Sequence, residues 1–387
     1  MDFIDLAAQQ RRIKEKIDAN IQKVLKHGSY IMGPEIQDLE GKLAAYAGVK
    51  HAISCASGTD ALLMALMAYR IGPGDAVLTT PFTFIATAEV ISLLGAVPVF
   101  VDIDPDTFNI SPERMADALA ALDVGGTTRY PMPKTGGSSK LTPRGIIAVD
   151  LFGLAADYDR INALARQHQL FVIEDAAQSF GAEYYGRKAC SLADVACTSF
   201  FPAKPLGCYG DGGMCFTDDD DLANAMRSIR IHGQGGHKYE NARIGINGRL
   251  DTLQAAILLA KLEIFPEEIG LRQDVARRYT EGLSSYSSLR LPIVPPGYLS
   301  VWAQYSILAA DAAYREICLN RLKEAKIPSA IYYPKPLHLQ GAFADRGYRI
   351  GGFPVSESSA NRIFSLPMHP YLKENEQARV LTCLRYF

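Results

Sequence analysis

The feature that most constrains this 387-residue chain is a regular alternation of short apolar runs with segments of helical spacing. Runs at 52–55, 76–80, 97–103, 145–151, 170–174, 195–201 and 214–217 read as strands. Helical patterns at 61–69, 85–94 and 158–168 lie between them. Strands joined through helices predict an α/β fold, a large mostly parallel sheet covered by helices on both faces. In such a sheet ligands gather at the carboxyl ends of the strands, so functional residues are expected where the apolar runs stop.

The flanking segments follow other patterns. Ile13, Ile17, Ile21, Val24 and Leu25 lie at helical spacing and end at Gly28, predicting an amphipathic helix with a glycine stop. Pro34 starts a second helix running to about Tyr46. Beyond Phe265 the order loosens into a long helix, a strand at 302–309, a helix at 314–325, a strand at 329–333 and a helix at 358–364. The chain therefore divides into a large α/β domain over 1–264 and a smaller α+β domain over 265–387. A glycine-rich stretch at 124–144 without apolar periodicity reads as a surface loop.

Composition excludes several classes. A formal charge of −2 with acids and bases well mixed gives no broad cationic surface for nucleic acid or an anionic membrane. The acidic start, Met1-Asp2-Phe3-Ile4-Asp5, does not resemble a signal peptide, and no apolar run reaches membrane-spanning length, so a cytoplasmic protein is expected. Seven cysteines without a C-x-x-C pair suggest neither a disulfide framework nor a zinc site, and no metal is expected.

Two residues at strand ends suggest chemistry. Lys204 closes an apolar run and precedes Gly207-Cys208-Tyr209-Gly210-Asp211-Gly212-Gly213. It reads either as a solvated loop lysine or as a lysine that holds an aldehyde cofactor as a Schiff base. Asp175 ends the run at 170–174, where an acid either caps a following helix or serves a ligand. Pyridoxal phosphate chemistry needs both groups, the amine for the aldehyde and an anion to keep the ring nitrogen protonated. It also needs a phosphate cradle. Ser57-Gly58-Thr59 at a helix start offers free N–H groups, although Ser57 or Thr59 serves equally as a plain N-cap. The acids Asp218 to Asp221 read as caps of the next helix.

Several stretches, in order, resemble the DegT/DnrJ/EryC1/StrS sugar aminotransferases. They include Gly28-Ser29-Tyr30-Ile31-Met32-Gly33-Pro34-Glu35, Gly58-Thr59-Asp60-Ala61-Leu62, Phe82-Thr83-Phe84-Ile85-Ala86-Thr87-Ala88, Glu174-Asp175-Ala176-Ala177-Gln178 and Ser199-Phe200-Phe201-Pro202-Ala203-Lys204. The resemblance implies a fold-type-I enzyme that uses pyridoxal 5'-phosphate and its pyridoxamine form, a homodimer with active sites at the subunit interface. It implies Lys204 as the Schiff-base lysine, Asp175 as the ring-nitrogen partner, Gln178 on the ring hydroxyl and Phe84 over the ring face. A core position is the alternative for Phe84. Gly58, Thr59 and Ser199 match phosphate-holding positions, and Asn247 matches an asparagine that reaches the neighbour's phosphate.

The likeness is nearest to enzymes acting on UDP-2-acetamido-2-deoxy-3-oxo-glucuronic acid with L-glutamate as donor, which serve lipopolysaccharide O-antigen synthesis. Arg249 is then expected at the substrate carboxylate, the alternative being a fork that ties Asp251 to the backbone. Tyr332-Tyr333-Pro334 stands where such enzymes often carry His-Tyr-Pro, so Tyr332 and Tyr333 are expected substrate contacts. His338 and His369 are further candidates, with a hydrogen-bonded structural role as their alternative. Amination at C4 of another nucleotide keto sugar, or a non-catalytic cofactor-binding regulator, are the competing functions.

Overall fold

The computed structural model describes residues 1–123, 130–135, 140–237 and 239–385. Ten residues of the glycine-rich stretch, 124–129 and 136–139, lie outside the described residues. The centre of the fold is a seven-stranded sheet in the order His51–Cys55, Gly213–Thr217, Val195–Ser199, Phe171–Asp175, Thr142–Val149, Asp75–Thr79, Val97–Phe100. Gly213–Thr217 runs antiparallel to both of its neighbours, and the other pairings are parallel.

The strands are apolar on both sides because both faces are covered. Ile146, Ala148 and Val172 join one core layer, with Met115 and Leu119 of the helix Pro112–Asp123 above them. Ile147, Ile173, Val195 and Cys197 point the other way, beneath Ala61, Leu62 and Ala65 of the helix Gly58–Ala68. Alternate residues of a strand thus feed separate cores. The register pairs Asp175 with Cys197, which sets the carboxyl ends of Phe171–Asp175 and Val195–Ser199 side by side.

After the long helix Phe265–Leu283 a three-stranded antiparallel sheet forms from Leu289–Arg290, Tyr305–Ala309 and Ile363–Leu366. The chain start belongs with this part. Met1 packs against its core, and the Met368 N–H donates to the Phe3 carbonyl at 3.2 Å.

Some elements differ from the sequence expectation for identifiable reasons. The first helix is two, Leu6–Arg12 and Lys14–His27, parted at Ile13 (φ −119°, ψ 21°), which turns inward to pack with Ile17, Ile257 and Ala260. Gly28 ends the second with φ 72°, as its glycine stop required. The helix Pro112–Asp123 was not anticipated, although Ser111 caps it and Pro112 opens it. The expected strand at 329–333 is reduced to a single bridge between Ala330 and Ser365. Pro328 and Pro334 flank it and cannot donate to a ladder. The expected helix at 358–364 runs from Pro354 to Arg362, and Ile363 and Phe364 join the sheet instead.

Candidate active site

Lys204 sits in a tight loop directly beyond Val195–Ser199. The Phe200 N–H donates to the Gly212 carbonyl at 2.7 Å, the Cys208 N–H returns to the Phe200 carbonyl at 2.8 Å, and the Lys204 N–H donates to Phe201 at 2.9 Å. The loop is closed at its base. Lys204 is half-buried, desolvated by the surrounding protein yet still reached by solvent. Desolvation lowers its pKa, and the charge of Asp175 opposes that shift. The amine is thus biased toward its neutral, nucleophilic form.

Asp175 is 5% exposed. Its carboxylate accepts from the Thr87 hydroxyl at 2.7 Å and from the Ala177 N–H at 3.2 Å. Turns rather than a helix follow it, so it caps no helix. Burial raises its pKa, while Thr87, Ala177 and the Lys204 charge hold the carboxylate form. The sequence reading missed Thr87. Its signal was a hydroxyl one helical turn after Thr83 in an otherwise apolar segment, and the two hydroxyls lie 3.2 Å apart.

Gln178 is fixed from two sides, its carbonyl accepting from the Phe152 N–H at 2.7 Å and its amide donating to the Tyr333 hydroxyl at 3.2 Å. Tyr333 is thereby drawn from the C-terminal part onto the floor of the site. Burial raises its hydroxyl pKa and keeps it protonated. Behind this floor Asp150, raised to about 6 by burial, accepts from Ala156 N–H, Tyr158 OH and Ser179 OH and fixes the loop that carries Phe152. Phe84 is 56% exposed, which rules out a core position and leaves an aromatic face open.

The helix start and the strand end form a close-fitting cradle. Ser57 caps the helix Gly58–Ala68 by accepting from the Asp60 N–H at 3.0 Å, which leaves the Gly58 and Thr59 N–H groups at the open end. A Cβ on Gly58 would lie 2.8 Å from the Ser199 Cβ, so only glycine lets the two segments meet. Ser57 thus fills the N-cap role, and the same turn leaves two N–H groups that could meet an anion.

Asn247 and Arg249 are placed elsewhere on this chain. They line a cavity of about 420 Å³ with Ile31, Ala56, Asp211, Asp251 and Gln254. The backbone between them is tied to the cradle, the Ala56 N–H donating to the Gly248 carbonyl at 3.0 Å. Among the described residues the buried Arg249 Nε has no partner, and no ion pair joins Arg249 to Asp251. The fork to Asp251 is not formed. Tyr332 is half-buried, 6.3 Å from the Phe3 ring.

His338 departs from expectation. It is buried, pairs through Nε2 with Glu357 at 3.0 Å and packs its ring against Phe353 at 4.7 Å. That is the structural alternative, and no substrate contact follows from it. His369 is buried likewise, and burial lowers the pKa of both rings.

A lysine with a lowered pKa, a carboxylate acting on it, an exposed aromatic ring and an anion cradle together fit pyridoxal phosphate. Fold and site thus define a fold-type-I transferase dependent on that cofactor. The chain belongs to the DegT/DnrJ/EryC1/StrS aminotransferase family, which it matches over residues 11–385. It is 51% identical over 372 residues to the UDP-2-acetamido-2-deoxy-3-oxo-D-glucuronate aminotransferase of Pseudomonas aeruginosa, covering 96% of each chain. The crystal structure of a DegT DnrJ EryC1 StrS aminotransferase from Brucella abortus superposes with a TM-score of 0.93 at 50% identity, covering 100% of this chain and 98% of that one. NtdA from Bacillus subtilis, solved with pyridoxamine phosphate bound, gives 0.85 at 28% identity over 96% of this chain and 81% of that one. The chain is a pyridoxal phosphate-dependent sugar aminotransferase. None of its described helices is long and apolar enough to cross a membrane.

Proposed function

We propose that this enzyme moves the amino group of L-glutamate to C3 of UDP-2-acetamido-2-deoxy-3-oxo-glucuronic acid, in the cytoplasm and for cell-surface polysaccharide synthesis. The observation that carries the reading is the Asp175 carboxylate acting on a desolvated Lys204 at adjoining strand ends. The name of the P. aeruginosa relative supports the substrate.

The bound cofactor supplies an aldehyde carbon and a ring that draws electrons from the reacting carbon. Lys204 is the residue that would hold that carbon, and its amine, when free, is placed to carry a proton at the reacting carbon. Asp175 would pair with the ring nitrogen and keep it protonated, and the Thr87 hydroxyl holds that carboxylate in place. Gln178 would meet the ring hydroxyl, Phe84 would cover one face of the ring, and Gly58, Thr59 and Ser199 would hold the phosphate. In a homodimer, Asn247 and Arg249 would reach the partner's site, Asn247 to the phosphate and Arg249 to the uronic carboxylate. The unpaired Arg249 Nε supports a guanidinium kept for a ligand. Tyr332 and Tyr333 border the sugar, with a phenol where an imidazole is usual.

The test is incubation with L-glutamate and a panel of nucleotide keto sugars, read by mass spectrometry and product NMR. Amination of the 3-oxo uronic acid above all others is expected. A preferred neutral sugar, or amination at C4, would overturn the substrate assignment and leave the aminotransferase class intact.

A further inference from the structure

A second lysine, fully buried, bonds the loop that carries Lys204. Lys261, in the last turn of the helix Thr252–Leu262, is 1% exposed. Its ammonium donates to the Gly207 carbonyl at 2.6 Å and lies 4.3 Å from the centre of the Tyr209 ring. Gly207 is three residues beyond Lys204, in the same closed loop. From the same helix, Gln254 grips the next part of that loop, accepting from the Tyr209 N–H at 2.9 Å and donating to the Tyr209 carbonyl at 3.5 Å. One helix therefore fixes three backbone groups of the segment that carries the catalytic amine.

A lysine near a helix end often only answers the helix dipole. Lys261 instead turns inward and bonds a carbonyl 54 residues away in sequence. An enclosed ammonium is costly, and apolar replacements of buried charges are often neutral or stabilising. Against that cost stands one hydrogen bond to the Gly207 carbonyl, so stability is a weak reason for the charge. The loop has little slack, since a Cβ on Gly207 would lie 2.5 Å from the Pro202 carbonyl oxygen. A pull on Gly207 is transmitted to Lys204 without being absorbed. Lys204 is shifted by its own burial and by the charge of Asp175, and Lys261 by its own burial, Cys208 and Glu268. What joins the two lysines is the backbone, since Lys261 bonds Gly207 three residues beyond Lys204.

We propose that Lys261 is a positioning residue for Lys204, clamping the Gly207 carbonyl so that the catalytic amine meets the cofactor aldehyde in line. The proposal rests on Lys204 bonding the cofactor and not on the identity of the sugar. A misplacement of about 1 Å suffices for a loss of up to about a hundredfold in a covalent step.

The experiment compares the full chain with Lys261→Met and Lys261→Arg. Apoprotein is mixed with pyridoxal phosphate, and the rate of covalent capture by Lys204 is followed by stopped-flow absorbance. The half-reaction with L-glutamate, the KM for the nucleotide sugar and the melting temperature are measured beside it. Capture needs neither donor nor sugar, so it stands if the substrate assignment fails. For Lys261→Met, capture and the half-reaction rate should fall about tenfold with the sugar KM unchanged, and Lys261→Arg should recover part of the loss. Unchanged capture in a folded Lys261→Met protein, whatever its melting temperature, overturns the proposal. Should that variant not fold, Gln254→Ala loosens the same loop from a half-buried position. It should slow capture about threefold, and an unchanged rate there overturns the proposal equally.

Discussion

Gly58→Ala is a one-methyl test of the anion cradle. The new carbon would lie 2.8 Å from the Ser199 Cβ, 3.3 Å from its Cα and 3.4 Å from its Oγ. Carbon atoms rest at about 3.5–4.0 Å, so the closest pair overlaps by roughly 0.7 Å or more. The Ser199 hydroxyl can rotate away, but its Cβ and Cα are fixed by the strand. Relief therefore requires the helix start and the strand end to separate by a comparable distance. Overpacking of this kind costs about 1–3 kcal/mol, a drop of a few degrees in melting temperature. The larger effect should be on the phosphate. Moving the Gly58 and Thr59 N–H groups away from Ser199 removes convergence from at least one charge-assisted hydrogen bond, about 1.5–3 kcal/mol, and weakens cofactor binding by roughly tenfold to a hundredfold. Titration of apoprotein with pyridoxal phosphate, followed by fluorescence quenching, measures this directly. An unchanged dissociation constant in a folded Gly58→Ala protein would refute the cradle.

Asp175→Asn keeps the shape but removes the charge, so Lys204 loses the one group that raises its pKa. The half-reaction with glutamate should fall by at least about a hundredfold while cofactor still binds, and near-normal rates would count against a ring-nitrogen role. Arg249→Ala should raise the KM for the uronic substrate by about tenfold and leave the donor half-reaction unaltered. Equal losses with acidic and neutral sugars would remove Arg249 from the carboxylate. Stability should carry a pH signature of Lys261, whose pKa falls from 10.5 to about 8 on burial. The folded state then binds fewer protons than the unfolded one, so the penalty is full below about pH 8 and fades as pH rises toward the unfolded value. Relative to Lys261→Met, the native protein should gain about 2 kcal/mol between about pH 7.5 and about pH 9.5 in urea unfolding.

Much of this enzyme was legible because strand ends are marked in sequence. Asp175 ends a buried strand and Lys204 stands in the loop just beyond its neighbour, and a parallel sheet brings such ends together. Pattern placed each at a strand end, and the chemistry of the cofactor and the family resemblance joined them. What pattern could not supply were contacts made across long sequence separations. Tyr333 reaches Gln178 across 155 residues, and Lys261 reaches Gly207 across 54. Neither residue announces its partner. Elements of intermediate propensity misled for a related reason. Ile363 and Phe364 continue a helical pattern locally, yet the neighbouring strand Tyr305–Ala309 offered them a ladder. His338 looked available beside prolines, and only the packed structure shows Glu357 waiting for it.

The central claim is that one amine, on Lys204, bonds the cofactor opposite Asp175. Borohydride reduction of the holoenzyme, followed by digestion and mass spectrometry, tests it most directly. A single modified peptide carrying the cofactor on Lys204 is the predicted result. Cofactor fixed to another lysine, or an unmodified Lys204 in protein that still transfers amino groups, would contradict it.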